Sequence, residues 1–341
     1  MQFNKTIFYT AMITSIIFVS AGLGLYFGLF YEPQEQERGE VIFYLKNGGD
    51  MIDFTMDELK DLSGAMEGYG GYKKTTSTIV GPYQYKGIPV QTLLEEIGGM
   101  NTTQEIVVTA TDQYRVTYTY NMVDGKVTTY NETGDDLGLN DVTMVLLYEE
   151  VGSSELYGGP LRLGYLSPEG YLTDGHLWAK YVETIEVRAL GAYWEVNLSG
   201  FVNFTLDSSY FEAAIYCPGQ DSINPHRLSY IVDEGGDLSN YEGMAVWRIV
   251  AMIDSYNDWD HDFNDSLIGM GYQVVLKSKH ELVDDVILPF DTIARNNSYI
   301  LAFKRNSMYL LDYDGPLKLV GSAVTFDQNI YGISEILLLK P

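Results

Sequence analysis

The feature of this chain that most constrains its fold is a set of short blocks that occurs twice, about 150 residues apart. Tyr85-Lys86-Gly87-Ile88-Pro89-Val90 returns as Tyr241-Glu242-Gly243-Met244-Ala245-Val246, at an offset of 156. Gly158-Gly159-Pro160-Leu161-Arg162-Leu163 returns as Asp314-Gly315-Pro316-Leu317-Lys318-Leu319 at the same offset. Phe54-Thr55-Met56-Asp57 recurs as Phe204-Thr205-Leu206-Asp207 and Thr184-Ile185 as Glu335-Ile336, at 150 and 151, so small loop insertions separate the copies. Solenoid units run roughly 20–50 residues, so a period this long predicts a duplicated domain. The expected copies are residues 40–190 and a more divergent 191–341.

Residues 7–31 form a 25-residue run without charge. At about 1.5 Å per residue it is long enough to cross a hydrocarbon core of about 30 Å. Lys5 precedes the run, and Glu32, Glu35, Glu37 and Glu40 follow it. The positive-inside bias then predicts a cytoplasmic tip at 1–6, a transmembrane helix at 7–31, a linker at 32–39 and an extracellular remainder on the cell membrane. A cleaved leader is the alternative, with Val19-Ser20-Ala21 as its cleavage site. The apolar run is longer than the roughly 7–15 residues of such leaders, which favours the anchor.

The net charge of −26 repels nucleic acid and anionic headgroups, which argues against nucleic-acid partners. A single cysteine, Cys217, excludes an intramolecular disulfide, so hydrophobic cores must hold the external part together. Aromatic residues make up 13% of the chain, with 28 tyrosines, which fits packed sheet rather than disorder. Asn-x-Ser/Thr sequons at Asn101, Asn131, Asn197, Asn203, Asn264 and Asn296 predict a glycoprotein where the machinery exists.

Residues 41–45 read as a strand, and Thr55 with Glu58 forms a capping box that opens a short helix. Pro89 opens a second helix over 90–97, with its counterpart at 246–253. Alternating β-branched runs at 106–111, 114–120 and 143–148 recur at 272–276, 282–288 and 299–303. Short helices among many strands predict an α+β fold, mainly β. Residues 188–194 read as a short apolar linker.

In the first copy, Tyr-x-Gly-Ile-Pro-Val-x-x-Leu-Leu is followed by Asp112-Gln113-Tyr114, Leu146-Leu147-Tyr148-Glu149-Glu150 and Gly159-Pro160-Leu161-Arg162-Leu163. Trp178-Ala179-Lys180-Tyr181-Val182-Glu183-Thr184-Ile185-Glu186-Val187 closes the series. This order resembles the molybdopterin-binding oxidoreductase domain of the sulfite oxidase type, and the second copy resembles it through the duplication. The resemblance implies a cysteine thiolate on molybdenum upstream of the Gly-Ile-Pro block, with basic side chains on the pterin phosphate. Here that region is Lys73-Lys74-Thr75-Thr76-Ser77-Thr78, without cysteine, and Cys217 falls in the other copy. A hydroxyl deprotonates far less readily than a thiol and is a poor substitute. The expectation is a cofactor-free former pocket bordered by Thr76, Thr78, Arg162 and Lys180, which would suit a small polar ligand; the stretch Thr75–Thr78 reads equally as an exposed β-edge.

The acidic insertion at 254–265 places Asp258, Asp260, Asp262 and Asn264 at alternate positions, as calcium-binding loops do. It lacks the glycine and the final acid of an EF-hand, and a solvated acidic loop is the alternative. The four histidines show no metal-site spacing. The function expected is therefore a membrane-anchored extracellular protein with tandem molybdopterin-oxidoreductase-like domains, acting in ligand binding or cell-surface architecture. The rival expectation is a molybdopterin-dependent oxidoreductase working through the first copy.

Overall fold

Val41 to Asn47 alternate in burial, and this first strand, β1 (Val41–Asn47), places Phe43 and Leu45 in the core. It turns back into β2 (Asp50–Thr55), whose last residue caps the helix Met56–Asp61. The Thr55 amide donates to Glu58 Oε2 at 2.7 Å and the Glu58 amide to Thr55 Oγ1 at 3.2 Å, which is the predicted capping box. The computed structural model describes residues 38–74, 77–191, 193–217, 226–256, 262–310 and 314–341. The expected membrane run at 7–31 lies outside them, and among the described residues no helix is long and apolar enough to cross a membrane.

The chain continues through β3 (Met66–Lys73), β4 (Ile79–Pro89), the helix Val90–Glu95, β5 (Gln104–Ala110), β6 (Arg115–Thr119), β7 (Lys126–Tyr130) and β8 (Asp136–Asp141). β9 (Thr143–Glu150), β10 (Arg162–Leu166), β11 (Leu172–Asp174) and β12 (Val182–Ala189) complete the first half. One sheet has the order β2-β1-β12-β5-β6 and a second has β10-β9-β4-β3-β11-β7-β8. Phe43, Ile106, Val116 and Ile185 from the first sheet and Tyr85, Leu146, Leu163 and Tyr165 from the second share one apolar core.

The second half runs through β13 (Glu195–Ser199), β14 (Asn203–Asp207), the helix Ser208–Tyr216, β15 (Leu228–Asp233), β16 (Leu238–Ala245) and the helix Val246–Val250. β17 (Gln273–Ser278), β18 (Val286–Pro289), β19 (Ile300–Arg305), β20 (Met308–Tyr309), β21 (Lys318–Val320) and β22 (Ile333–Leu339) follow. Its sheets have the orders β14-β13-β22-β17-β18 and β15-β16-β19-β20, with β21 also on β19. Strand for strand, the first repeats β2-β1-β12-β5-β6, parallel pair included, and β15-β16-β19-β21 repeats β3-β4-β9-β10. No described strand of the second half corresponds to β7, β8 or β11. The whole fold is thus mainly β with short helices.

Register makes the correspondence residue-specific. Gly87 pairs with Leu147 and Leu147 with Arg162; Gly243 pairs with Ala302 and Ala302 with Lys318. A register shift precedes each of these two glycines, and a Cβ on either would strike the carbonyl oxygen of Leu146 or Leu301. Glycine is required at both places, which is why the Tyr-x-Gly block is legible twice.

One sequence alignment needs correcting. Leu45 faces Ile52 and Leu198 faces Phe204, so Thr55 corresponds to Asp207 and not to Thr205. Asp207 caps the helix Ser208–Tyr216 through the Tyr210 amide at 2.7 Å. A slip of two residues keeps every side chain on its face of a strand, so alternation alone could not detect it. The strand expected over 282–288 begins only at Val286, and Leu282 is 98% exposed in the preceding turn.

Val41–Pro341 forms one compact unit. Arg188, read from sequence as linker, lies in β12 and joins the halves: its Nε donates to Glu105 at 2.6 Å and its Nη2 to the Tyr309 hydroxyl at 2.6 Å. Glu212, on the helix Ser208–Tyr216, accepts from the Thr117 hydroxyl of the first half, from Lys304 Nζ at 3.3 Å and from Tyr309 at 3.0 Å. Ser209 Oγ donates to the Thr117 carbonyl at 2.6 Å, so the helix is stitched along β6. Burial raises the Glu212 carboxyl, but Lys304, the Thr117 hydroxyl and Arg188 together outweigh it and hold the group below its ordinary range.

Candidate anion pocket

The Gly-Pro-Leu-Arg-Leu block sends Arg162 inward. β10 is buried along its whole length, and the arginine is 1% exposed. Its guanidinium lies 4.9 Å from the Trp178 ring centre and 5.3 Å from that of Tyr72, in cation–π contact with both. Nη1 donates a long bond of 3.4 Å to the Tyr157 carbonyl, while Nε and Nη2 are buried without a hydrogen-bond partner among the described residues. No described carboxylate forms an ion pair with Arg162. A buried charge left uncompensated costs on the order of several kcal/mol. An anion would supply the partner that these two nitrogens lack.

Lys180 arrives beside it because residues 179–182 run antiparallel to the start of β10. Arg162 and Lys180 form a β-bridge, and the Leu163 amide donates to the Ala179 carbonyl at 2.8 Å. Lys180 Nζ lies 4.3 Å from the Tyr157 ring centre and donates to its hydroxyl at 3.3 Å. That hydrogen bond and the charge of Lys180 pull the Tyr157 phenol below its ordinary range, with smaller help from Arg162 and Lys74. Three cations therefore act on one exposed phenol. Behind them Tyr85 is pushed up to about 12, mainly by burial; Arg162 opposes that shift and Glu150 adds to it.

Of the four pocket residues expected from sequence, the structure brings Arg162 and Lys180 together. Thr78 lies in the β3–β4 turn, where its carbonyl accepts the Lys74 amide at 2.8 Å, and Thr76 falls outside the described residues. Sequence reasoning missed Tyr157, Tyr72, Tyr85 and Trp178. Tyr85 carried a signal, since it opens the repeated block and recurs as Tyr241.

The second half carries the same position in a different state. Lys318 stands where Arg162 does, and the Leu319 amide donates to the Ile330 carbonyl at 3.0 Å, which puts Tyr331 in place of Lys180. Here a carboxylate from the chain itself fills the site. Glu234, just beyond β15, accepts from the Tyr241 hydroxyl at 2.7 Å and from Ser239 at 3.0 Å, and pairs with Arg305 and, at 3.7 Å, with Lys318. Burial raises the Glu234 carboxyl, yet the two hydroxyls and two cations leave it below its ordinary range.

Asp258 and Asp260 of the expected calcium loop lie outside the described residues. Asn264 is engaged locally: its amide oxygen caps the turn Asp265–Leu267 through Ser266, and its Nδ2 donates to the Asp254 carbonyl at 3.0 Å. Phe263, between Asp262 and Asn264, stacks in the core on Phe290 at 4.6 Å. Among the described residues no group of three or more His, Cys, Asp or Glu is placed to hold a metal ion. Cys217 is free at the end of the helix Ser208–Tyr216, where surrounding protein and Asp112 push its thiol upward. The donor set around Arg162 therefore offers a molybdenum ion no thiolate, although its cations would suit an oxyanion.

No family model matches the chain, and no curated protein matches it. Among solved structures it is similar to the sulfane dehydrogenase SoxCD from Paracoccus pantotrophus, at 13% identity and a TM-score of 0.34, over 86% of this chain and 73% of that one. A likeness at that score fixes neither fold nor activity.

Proposed function

We propose that this is a ligand-binding protein whose first half, residues 40–190, takes a small anion in the Arg162 pocket and carries no molybdenum centre. The observation that carries the reading is the pair of buried, unpartnered donors on Arg162. The residues around it do not fit a molybdopterin centre, since the turn that would supply the thiolate holds lysine, threonine and serine. Binding an anion is what the side chains around Arg162 can do. Residues 191–341 form the divergent copy, with an internally neutralised pocket, and residues 7–31 hold the protein at the cell membrane with both copies outside.

The test is made on the full chain, produced in a host that synthesises molybdopterin. Elemental analysis is expected to give no stoichiometric molybdenum, while inorganic anions bind saturably to the wild type and not to Arg162→Met. Stoichiometric molybdenum that disappears in Arg162→Ala would restore the oxidoreductase alternative.

A further inference from the structure

We infer that the ligand of the Arg162 pocket is a small organic acid bound through a single carboxylate, an inference that rests on the anion-binding reading above. The second half is the same pocket with its ligand built in. Gly243, Ala302 and Lys318 stand in the register of Gly87, Leu147 and Arg162, and Tyr241 stands where Tyr85 does. What the Lys318 ammonium and the Tyr241 hydroxyl meet there is the carboxylate of Glu234. It enters from the β15–β16 turn, the counterpart of the β3–β4 turn of the first half. In the first half that turn holds Lys74, Ser77 and Thr78 among its described residues and offers no acid.

The open donors have the matching shape. Nε and Nη2 lie along one edge of the guanidinium, so their hydrogens point the same way, and that edge can donate two parallel hydrogen bonds to the two oxygens of a carboxylate. The counterpart built into the second half is a carboxylate, which favours a carboxylate ligand over sulfate or phosphate.

Calorimetric titration of the full chain with sodium propionate, acetate, sulfate and phosphate at matched ionic strength tests this. Propionate and acetate are expected to saturate at concentrations at least tenfold below sulfate and phosphate, and Arg162→Met to abolish the difference. A second arm reads the other half: Glu234→Ala in the Arg162→Met background should lower the melting temperature, and propionate should restore it where sulfate does not. Tighter sulfate or phosphate binding that still depends on Arg162 overturns the carboxylate inference and leaves the anion pocket standing. Absence of any Arg162-dependent binding overturns both. If Arg162→Met does not fold, Lys180→Met takes its place, with propionate binding weakened at least threefold expected and unchanged binding counting against the inference.

Discussion

Arg162 is the residue on which the most chemistry turns, because its charge is buried against aromatic rings and no described carboxylate forms an ion pair with it. In anion-free buffer Arg162→Met is expected to melt at or above the wild type, since the substitution removes an uncompensated charge and keeps apolar volume. Saturating ligand should reverse the order: at a hundredfold excess over Kd the wild type gains about 2.7 kcal/mol and the variant nothing. Thermal melts with and without propionate read both halves of that statement. Lys180 makes a separate prediction through Tyr157, whose phenol it holds down. In an ultraviolet difference titration Tyr157 should ionise ahead of the buried tyrosines, and Lys180→Met should remove that early step. Arg162 and Lys180 were legible only through the resemblance of their two blocks to the sulfite-oxidase type of domain. It could not place Tyr157, which reaches the cluster only because the loop before Gly158 folds back over β10.

At the scale of elements, the two hairpins β3–β4 and β15–β16 share a register but not their neighbours. Met66 faces Gly87 and Leu228 faces Gly243, so Ile231 corresponds to Tyr69. The Tyr69 amide donates to the Ser167 carbonyl at 3.0 Å, with β11 continuing along that edge, whereas β15 ends its sheet among the described residues. Hydrogen exchange should therefore find the Tyr69 amide protected and the Ile231 amide exchanging far faster; equal protection would contradict the register. The repeated strands were legible because alternation and the glycine at the bulge are local signals. The two-residue slip at Thr55 was not, because a shift of two leaves every in-or-out position unchanged. That no described strand of the second half matches β7, β8 or β11 was equally hidden, as pairing partners are not written in a strand's own sequence.

Across the whole molecule, the halves are joined by buried charge as well as by apolar packing. Glu212 is 2% exposed and bonded to Thr117, Lys304 and Tyr309. Removing one partner of a buried pair costs about 3–5 kcal/mol, so Glu212→Gln should destabilise the protein by that order at neutral pH. Its folded carboxyl is held below its unfolded value, so this stability is present above the ordinary glutamate range and is lost as pH falls through the lowered folded value. Denaturant melts of wild type and variant should therefore converge in acid. Arg188, which sequence assigned to a linker, shows why the junction was illegible: its partners Glu105, Tyr309 and Glu212 come from distant segments. The most direct test of the account is a crystal of the full chain soaked in sodium bromide and measured for anomalous scattering. The account predicts a bromide peak within hydrogen-bonding reach of Arg162 Nε and Nη2, with no transition-metal peak beside it. A guanidinium contacted only by water, or a molybdenum signal at that site, would contradict it.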